Sequence, residues 1–311
     1  MKIVEVGPRD GLQNETASVP TGAKVAFVDA LSETGVDEIE VSAFVSPRWV
    51  PQLSDAEAVL QRISRRPGVV YSALVPNERG LDRALDAGVG KVSVFTAASE
   101  TFARKNINTS IAGAIQRFKP VVERTLAAGL PVRGYVSTAF WCAFEGKIAP
   151  TAAIDVVQRL MDIGVSEVSV SDTTGQATPE DVGDLLDRLL PRLSADRIAM
   201  HFHDTYNRGV ANVLASWVRG IRIFDASVGG LGGCPYAPGA TGNVATEAVV
   251  AALSAAGVPV GVDPEKLLAA RRLLDPYLVD GRRNMPDIGA PACDACEFTR
   301  GEDCCQRAGA G

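Results

Sequence analysis

The chain has 311 residues, 46% of them apolar and 22% charged, with a net charge of −6. Such a balance supports a sizeable core and argues against nucleic acid or an acidic membrane surface as partner. The longest apolar run, residues 248–262, is interrupted by Gly257 and Pro259 and is too short to span a bilayer.

Met1-Lys2-Ile3-Val4-Glu5-Val6 runs straight into a strand pattern without a signal-peptide or transit-peptide signature. A cytoplasmic protein is therefore expected, with its six cysteines kept as thiols. The first strand, residues 3–6, leads into Gly7-Pro8-Arg9-Asp10-Gly11-Leu12-Gln13-Asn14-Glu15. A helical stretch stops at Gly35-Val36, and a second strand through Glu38-Ile39-Glu40-Val41 reaches Ser42. Ser54-x-x-Glu57 has the spacing of a capping box. Pro67-Gly68 precedes a third strand over 69–75, and Gly88-Val89 a fourth over 91–94. Gly129-Leu130 precedes the fifth, Val132-Arg133-Gly134-Tyr135-Val136, which runs on to Ser137-Thr138. Gly164-Val165 precedes the sixth, residues 167–170, ending at Ser171-Asp172-Thr173-Thr174-Gly175. Thr178-Pro179 then reads as an N-cap with proline at the first helical position. The seventh strand, from Arg197, ends at His201-Phe202-His203-Asp204. Gly220-Ile221 precedes the eighth, residues 223–228, which gives way to Gly229-Gly230-Leu231-Gly232-Gly233-Cys234-Pro235-Tyr236 and then to Gly242-Asn243.

The recurring glycine is the left-handed residue that stops a helix before a strand begins. Eight strands alternating with helices predict an α/β fold, a (β/α)8 TIM barrel over residues 1–262. A C-terminal helical extension and cysteine-containing tail would occupy 263–311. An open doubly wound sheet is the alternative.

In such a barrel the chemistry sits at the C-terminal ends of the strands. Arg9, Asp10, Glu40, Tyr135, Ser171, Asp172, His201, His203 and Cys234 all fall there. Only two histidines occur in the chain, at positions i and i+2 of one strand. Alternation puts both on one face about 7 Å apart, half of a divalent-metal site. A hydrogen-bonded pair of core histidines is the plainer alternative.

With these residues the chain resembles the hydroxymethylglutaryl-CoA lyases, metal-dependent lyase barrels. The likeness rests on residues 4–15, Phe44-Val45-Ser46-Pro47, Lys105-Asn106-Ile107-Asn108 and above all on residues 227–236, where the family has Ala in place of Gly229. It implies cleavage of 3-hydroxy-3-methylglutaryl-CoA to acetyl-CoA and acetoacetate, a step of leucine degradation. It also implies a divalent metal, Mg²⁺ or Mn²⁺, held by Asp10, His201, His203 and Asn243. Taken alone, Asn243 in Gly242-Asn243 also suits a tight turn. By the same resemblance Arg9 stabilises the developing enolate, and Asp10 or a histidine accepts the hydroxyl proton. Cys234 protonates the carbanion, a structural thiol being its alternative. Glu40 and Asp172 are expected to hold Arg9 or the ligands in place. Gln13, Tyr135 and Ser171 are expected to bind substrate with Arg9. An acyl-CoA thioester is the expected partner, in a homodimer without nucleic acid or membrane.

Two segments depart from the family pattern, Val170-Ser171-Asp172-Thr173-Thr174-Gly175 and Trp141-Cys142-Ala143-Phe144-Glu145-Gly146-Lys147. Both lie on the rim, so another 3-hydroxy-acyl-CoA, such as citramalyl-CoA or a longer 3-substituted glutaryl-CoA, stays open as substrate. An isopropylmalate-synthase type of condensing acyltransferase shares Arg-Asp and His-x-His, but lacks the Gly-Gly-Cys-Pro-Tyr loop. The tail cysteines Cys293, Cys296, Cys304 and Cys305 do not have a standard zinc-ribbon spacing. They read as accessible thiols, with zinc binding or thiol regulation as the alternatives.

Overall fold

The computed structural model describes residues 1–16, 18–233 and 242–278. Ten strands are found among them. They are β1 (Lys2–Glu5), β2 (Glu38–Ala43), β3 (Val70–Leu74), β4 (Lys91–Ala97), β5 (Val132–Ser137), β6 (Trp141–Cys142), β7 (Gly146–Lys147), β8 (Glu167–Asp172), β9 (Ile198–Phe202) and β10 (Ile223–Ala226). Eight of them close a barrel in the order β1-β10-β9-β8-β5-β4-β3-β2, while β6 and β7 form a small hairpin. Every barrel pairing is parallel, which gives the expected TIM barrel and excludes the open sheet. No helix among the described residues is long and apolar enough to cross a membrane.

The glycines that announced strand starts behave as their position requires. Gly35, Gly88, Gly129, Gly164 and Gly220 all have φ between +75° and +99°, values that cost an L side chain energy and cost glycine little. Thr178 caps the helix Pro179–Leu189 through Asp181 in a full capping box. The box expected at Ser54 does not form. The helix there begins at Ala56, and its N-cap Asp55 makes no side-chain capping bond. Glu57 instead pairs with Arg83, while Asp55 accepts Lys24 Nζ at 2.6 Å. Long-range ion pairs thus displaced a local signal.

Aliphatic side chains on the outer face of the strands pack under the helices and form one large core. The inside of the barrel differs. Apart from Val4, Val6, Ala199 and Ile223, its lower half holds Glu38, Lys91, Arg133, Glu167 and Asp225, each at most 9% exposed. The helix Thr246–Ala255 completes the ring, and the helix Pro264–Arg272 lies against the helix Thr21–Leu31. That last helix also buries Arg271 beside Gly229. At φ +66°, a Cβ on Gly229 would lie 2.8 Å from Arg271 Nε, so glycine here leaves room for the arginine.

Candidate active site

The segment after β1 is a single π-helical turn, Gly7–Gly11. The N–H groups of Arg9, Asp10 and Gly11 all converge on the carbonyl of Val6, at 3.2, 2.7 and 3.2 Å. Such turns are rare and concentrate at functional sites. This one puts Arg9 and Asp10 side by side over the barrel mouth, both buried.

On β9, alternation turns Phe202 outward to Phe140 (ring centroids 6.5 Å apart). His201 and His203 therefore share the inner side, their ring centroids 5.4 Å apart. The segment 242–245 runs beside the ends of β9 and β10, with Val244 N donating to Phe202 O (2.9 Å) and Ser227 N to Val244 O (3.1 Å). An antiparallel bridge pairs His203 with Asn243. Asn243 is brought beside the two histidines in this way.

Ligand atoms of Asp10, His201 and His203 all lie within 4.8 Å of one another. Asn243 Nδ2 donates to Asp10 Oδ2 and to Leu231 O, each at 2.9 Å. Its amide oxygen is buried with no hydrogen-bond partner, as is Nδ1 of His203. Leaving buried acceptors unsatisfied is costly, and a cation among these oxygen and nitrogen donors would satisfy both. The donor set lacks thiolate and suits a hard divalent ion, so the residues present fit a metal. Burial works against ionisation of Asp10, but Arg9, His201 and His203 outweigh it and hold the carboxyl below its ordinary value. Burial, and then His201, push His203 down to about 4.

Arg9 is fixed from two sides. Its Nε meets Glu40 Oε2 and its Nη1 meets Asp10 Oδ1, both at 2.5 Å. The Tyr135 hydroxyl donates to the same Glu40 oxygen at 3.1 Å, and the guanidinium lies 5.2 Å from the Tyr135 ring centroid. Gln13 Nε2 adds a 2.7 Å bond to Asp10 Oδ1. A cavity of about 760 Å³ opens above this group. Arg9, Asp10, Tyr135, Ser171, His201 and His203 are on its inner wall; Trp49, Lys105, Asn106 and Arg117 are also among its lining.

The expected residues thus fall into two groups. Arg9, Asp10, Gln13, Glu40, Tyr135 and Asn243 form one bonded cluster, His201 and His203 stand beside Asp10, and Ser171 lines the cavity next to them. The Asp172 carboxylate caps the loop after β8, its Oδ2 accepting Ala177 N at 2.9 Å, and burial raises it to about 6. Among the described residues no side-chain bond joins that carboxylate to Arg9 or to the ligands. Cys234 and the four tail cysteines lie outside the described residues. The preceding Gly233 is on the cavity wall, and its carbonyl accepts Asn14 Nδ2 at 3.1 Å.

The two departures from the family pattern also separate. Ser171 and Thr173 face the cavity. The hairpin β6–β7 does not line it but braces the helix Glu100–Ile107, which does. Cys142 Sγ lies 3.1 Å from Ser99 Oγ, Glu145 accepts Thr101 N at 2.7 Å, and Lys105 Nζ sits 4.0 Å from the Phe144 ring centroid.

Sequence reasoning passed over the charged residues inside the barrel. Lys2 and Lys91 bridge Glu38 and Glu167 at 2.8 to 3.4 Å. Arg133 reaches Glu167 at 3.4 Å and Asp225 at 2.5 Å. The signal was present as charged residues inside runs of Val, Ile and Ala. A fully buried parallel strand has no solvent-facing side to receive them.

A sequence profile of the family described as HMGL-like matches residues 1–274. The chain is 48% identical over 270 residues to the mitochondrial hydroxymethylglutaryl-CoA lyase of Rattus norvegicus, covering 87% of this chain and 83% of that protein. It is similar to the solved HMG-CoA lyase from Brucella melitensis, with TM-score 0.86 and 45% identity over 88% of this chain and 97% of that one. It is likewise similar to an HMG-CoA lyase from Acinetobacter baumannii solved with coenzyme A and 3-methylmalate. There the TM-score is 0.86 and the identity 35%, over 94% and 97% of the two chains.

Proposed function

The chain belongs to the HMGL-like family, and from that membership we propose that it is a carbon–carbon lyase cleaving 3-hydroxy-3-methylglutaryl-CoA into acetyl-CoA and acetoacetate. The observation that carries this reading is one cluster. Asp10, His201, His203 and Asn243 present two unsatisfied buried acceptors beside Arg9, at the inner end of a cavity.

A divalent cation held by those four residues, Mg²⁺ or Mn²⁺, would chelate substrate oxygens and make the tertiary hydroxyl more acidic. Asp10 or a neighbouring histidine takes the hydroxyl proton, the carbon–carbon bond breaks, and the C–O bond becomes the ketone of acetoacetate. The electron pair is left as an enolate on the acetyl thioester. Arg9, locked between Asp10 and Glu40, offers a fixed positive charge where that enolate develops, with no reorganisation at the moment of reaction. Glu40, itself held by Tyr135, positions the guanidinium. Cys234 on the glycine-rich loop returns a proton from Sγ to the carbanion and completes acetyl-CoA. Gln13 orients Asp10, and Ser171 contacts the acyl group from the cavity wall. Lys105, Asn106 and Arg117 offer polar groups near the cavity mouth to the CoA moiety.

We infer with this a catalytic barrel over 1–262 with an appended segment over 263–311, working as a cytoplasmic homodimer in leucine degradation. A second reading, a lyase for citramalyl-CoA or a longer 3-substituted glutaryl-CoA, is favoured by Ser171 and Thr173 on the cavity wall. The test is pure protein with Mg²⁺ and a panel of 3-hydroxy-acyl-CoA thioesters, with product identification. Acetoacetate and acetyl-CoA formed fastest from 3-hydroxy-3-methylglutaryl-CoA support the first reading, and a faster partner thioester replaces it with the second. Condensation without cleavage would point to an acyltransferase instead.

A further inference from the structure

Behind one of the two histidines stands a buried carboxylate to which the proposed chemistry assigns no role. Asp225, 1% exposed, is the β10 register partner of His201 on β9. Its Oδ2 lies 3.3 Å from Nδ1 of His201 and accepts the Ser169 hydroxyl at 2.7 Å. Its Oδ1 accepts Arg133 Nη2 at 2.5 Å. Asp225, His201, Ser169 and Arg133 are all buried. Resting on the reading of Asp10, His201, His203 and Asn243 as a divalent-cation site, we propose that Asp225 is a positioning residue. It fixes the tautomer and ring orientation of His201 and so sets the cation affinity of the site.

Oδ1 of Asp225 accepts the Arg133 guanidinium and Oδ2 accepts the Ser169 hydroxyl, so both oxygens act as acceptors, as in an ionised carboxylate paired with an arginine. An ionised carboxylate only accepts hydrogen bonds, so His201 Nδ1 has to carry the hydrogen. In a neutral imidazole the lone pair then resides on Nε2, the nitrogen left to face Asp10 and His203. The wrong tautomer would present an N–H to the cation instead of a lone pair. Without Asp225 the ring would also lose the bond that stops it turning about its side-chain axis. Among the described residues, His201 is the one of the two imidazoles with a carboxylate within hydrogen-bond distance. Outer-sphere partners of this kind are typically worth about 10- to 100-fold in metal affinity.

The competing account makes Asp225 only the counter-ion of Arg133. Two variants separate the accounts, Asp225→Asn and the charge-neutral pair Arg133→Leu/Asp225→Leu. The pair removes guanidinium and carboxylate together, so it keeps the barrel interior neutral if the single variant fails to fold. Because the wild-type chain has only two histidines, ¹⁵N-histidine spectra of the tag-free, metal-free enzyme contain just two rings. The tautomer of His201 can be read from them directly. Mn²⁺ titration followed by electron paramagnetic resonance gives affinity without reference to turnover.

Expected in wild type is the Nδ1–H form of His201. In both variants the His201 signals should move to a tautomer mixture and the Mn²⁺ Kd should rise about 10- to 100-fold, with the far-ultraviolet circular dichroism kept. Variants that retain the wild-type tautomer and Mn²⁺ affinity overturn the proposal, as does a wild-type His201 already in the Nε2–H form. A wild-type enzyme that binds no Mn²⁺ overturns the metal reading and the affinity half of the proposal, while the spectra still decide the tautomer.

Discussion

Arg9 shows how little of a residue's role lies in its own type. An arginine followed by aspartate is common, and what distinguishes this one is that Glu40, Asp10 and Tyr135 hold its guanidinium still beside the candidate cation site. A charge fixed where negative charge develops acts mainly in the transition state. Arg9→Met should therefore lower kcat by a factor on the order of 10² or more, with KM for the thioester little changed. A loss confined to KM would make Arg9 a substrate anchor instead. Glu5 carries a second residue-level prediction. It accepts the N–H groups of Gly7 and Val228 and the Thr246 hydroxyl, yet burial raises its carboxyl from 4.5 to about 7. The folded protein then keeps a proton that the unfolded chain releases near pH 4.5. The resulting stability is fully present below that pH and is lost as pH rises through about 7. Glu5→Gln can keep the bonds from Gly7 and Val228 through its amide oxygen and donate from its NH2 to the Thr246 hydroxyl, without the charge. Urea midpoints measured from pH 4.5 to 8 should show the variant gaining on wild type by an amount on the order of 3 kcal/mol. Parallel curves would mean that Glu5 is not buried as described.

Among the elements, the π-turn Gly7–Gly11 and the rim segments were the least legible. Gly-Pro-Arg-Asp-Gly carries no helical signal in the sequence, because no periodicity marks a single turn, and only the three N–H groups meeting Val6 O define it. Ser54-x-x-Glu57 misled for the opposite reason. Its spacing is local, while the ion pairs of Glu57 with Arg83 and Asp55 with Lys24 reach across the sequence. The glycine-rich run after β10, described as far as Gly233, was legible from composition alone. Its anchor is visible in Asn14, which ties Gly233 to the Arg9–Asp10 turn. For Cys234 as proton donor, Cys234→Ser should reduce turnover by orders of magnitude with Mn²⁺ binding intact, because a serine hydroxyl is a far weaker acid. Substrate should protect the wild-type thiol from alkylation, compared in a background truncated before Cys293 so that tail thiols do not contribute. If the serine variant turns over within a few-fold of its parent, the proton comes from elsewhere.

At the scale of the whole molecule, the barrel interior is a balanced ionic column, with Lys2, Lys91 and Arg133 facing Glu38, Glu167 and Asp225. Such a column contributes little net stability compared with apolar packing, but breaking it on one side leaves an uncompensated buried charge. Lys91→Met should cost about 3–5 kcal/mol in urea unfolding, and adding Glu38→Gln should recover most of that by restoring neutrality. A double variant no more stable than the single one would refute the balance. The sequence by itself determined the alternation of strands and helices, the helix-ending glycines and the side-by-side histidines. Each of these depends on residues a few positions apart, within reach of backbone geometry. It also indicated which residue types gather on the rim, since barrel closure brings every strand end to one face. Tertiary structure alone decided which of them touch. Asp10 meets Asn243 across 233 positions, Arg133 meets Asp225 across 92, and Asp172 turns to its own loop. Those contacts depend on the stagger and closure of eight strands, and no local interaction in the sequence encodes that geometry.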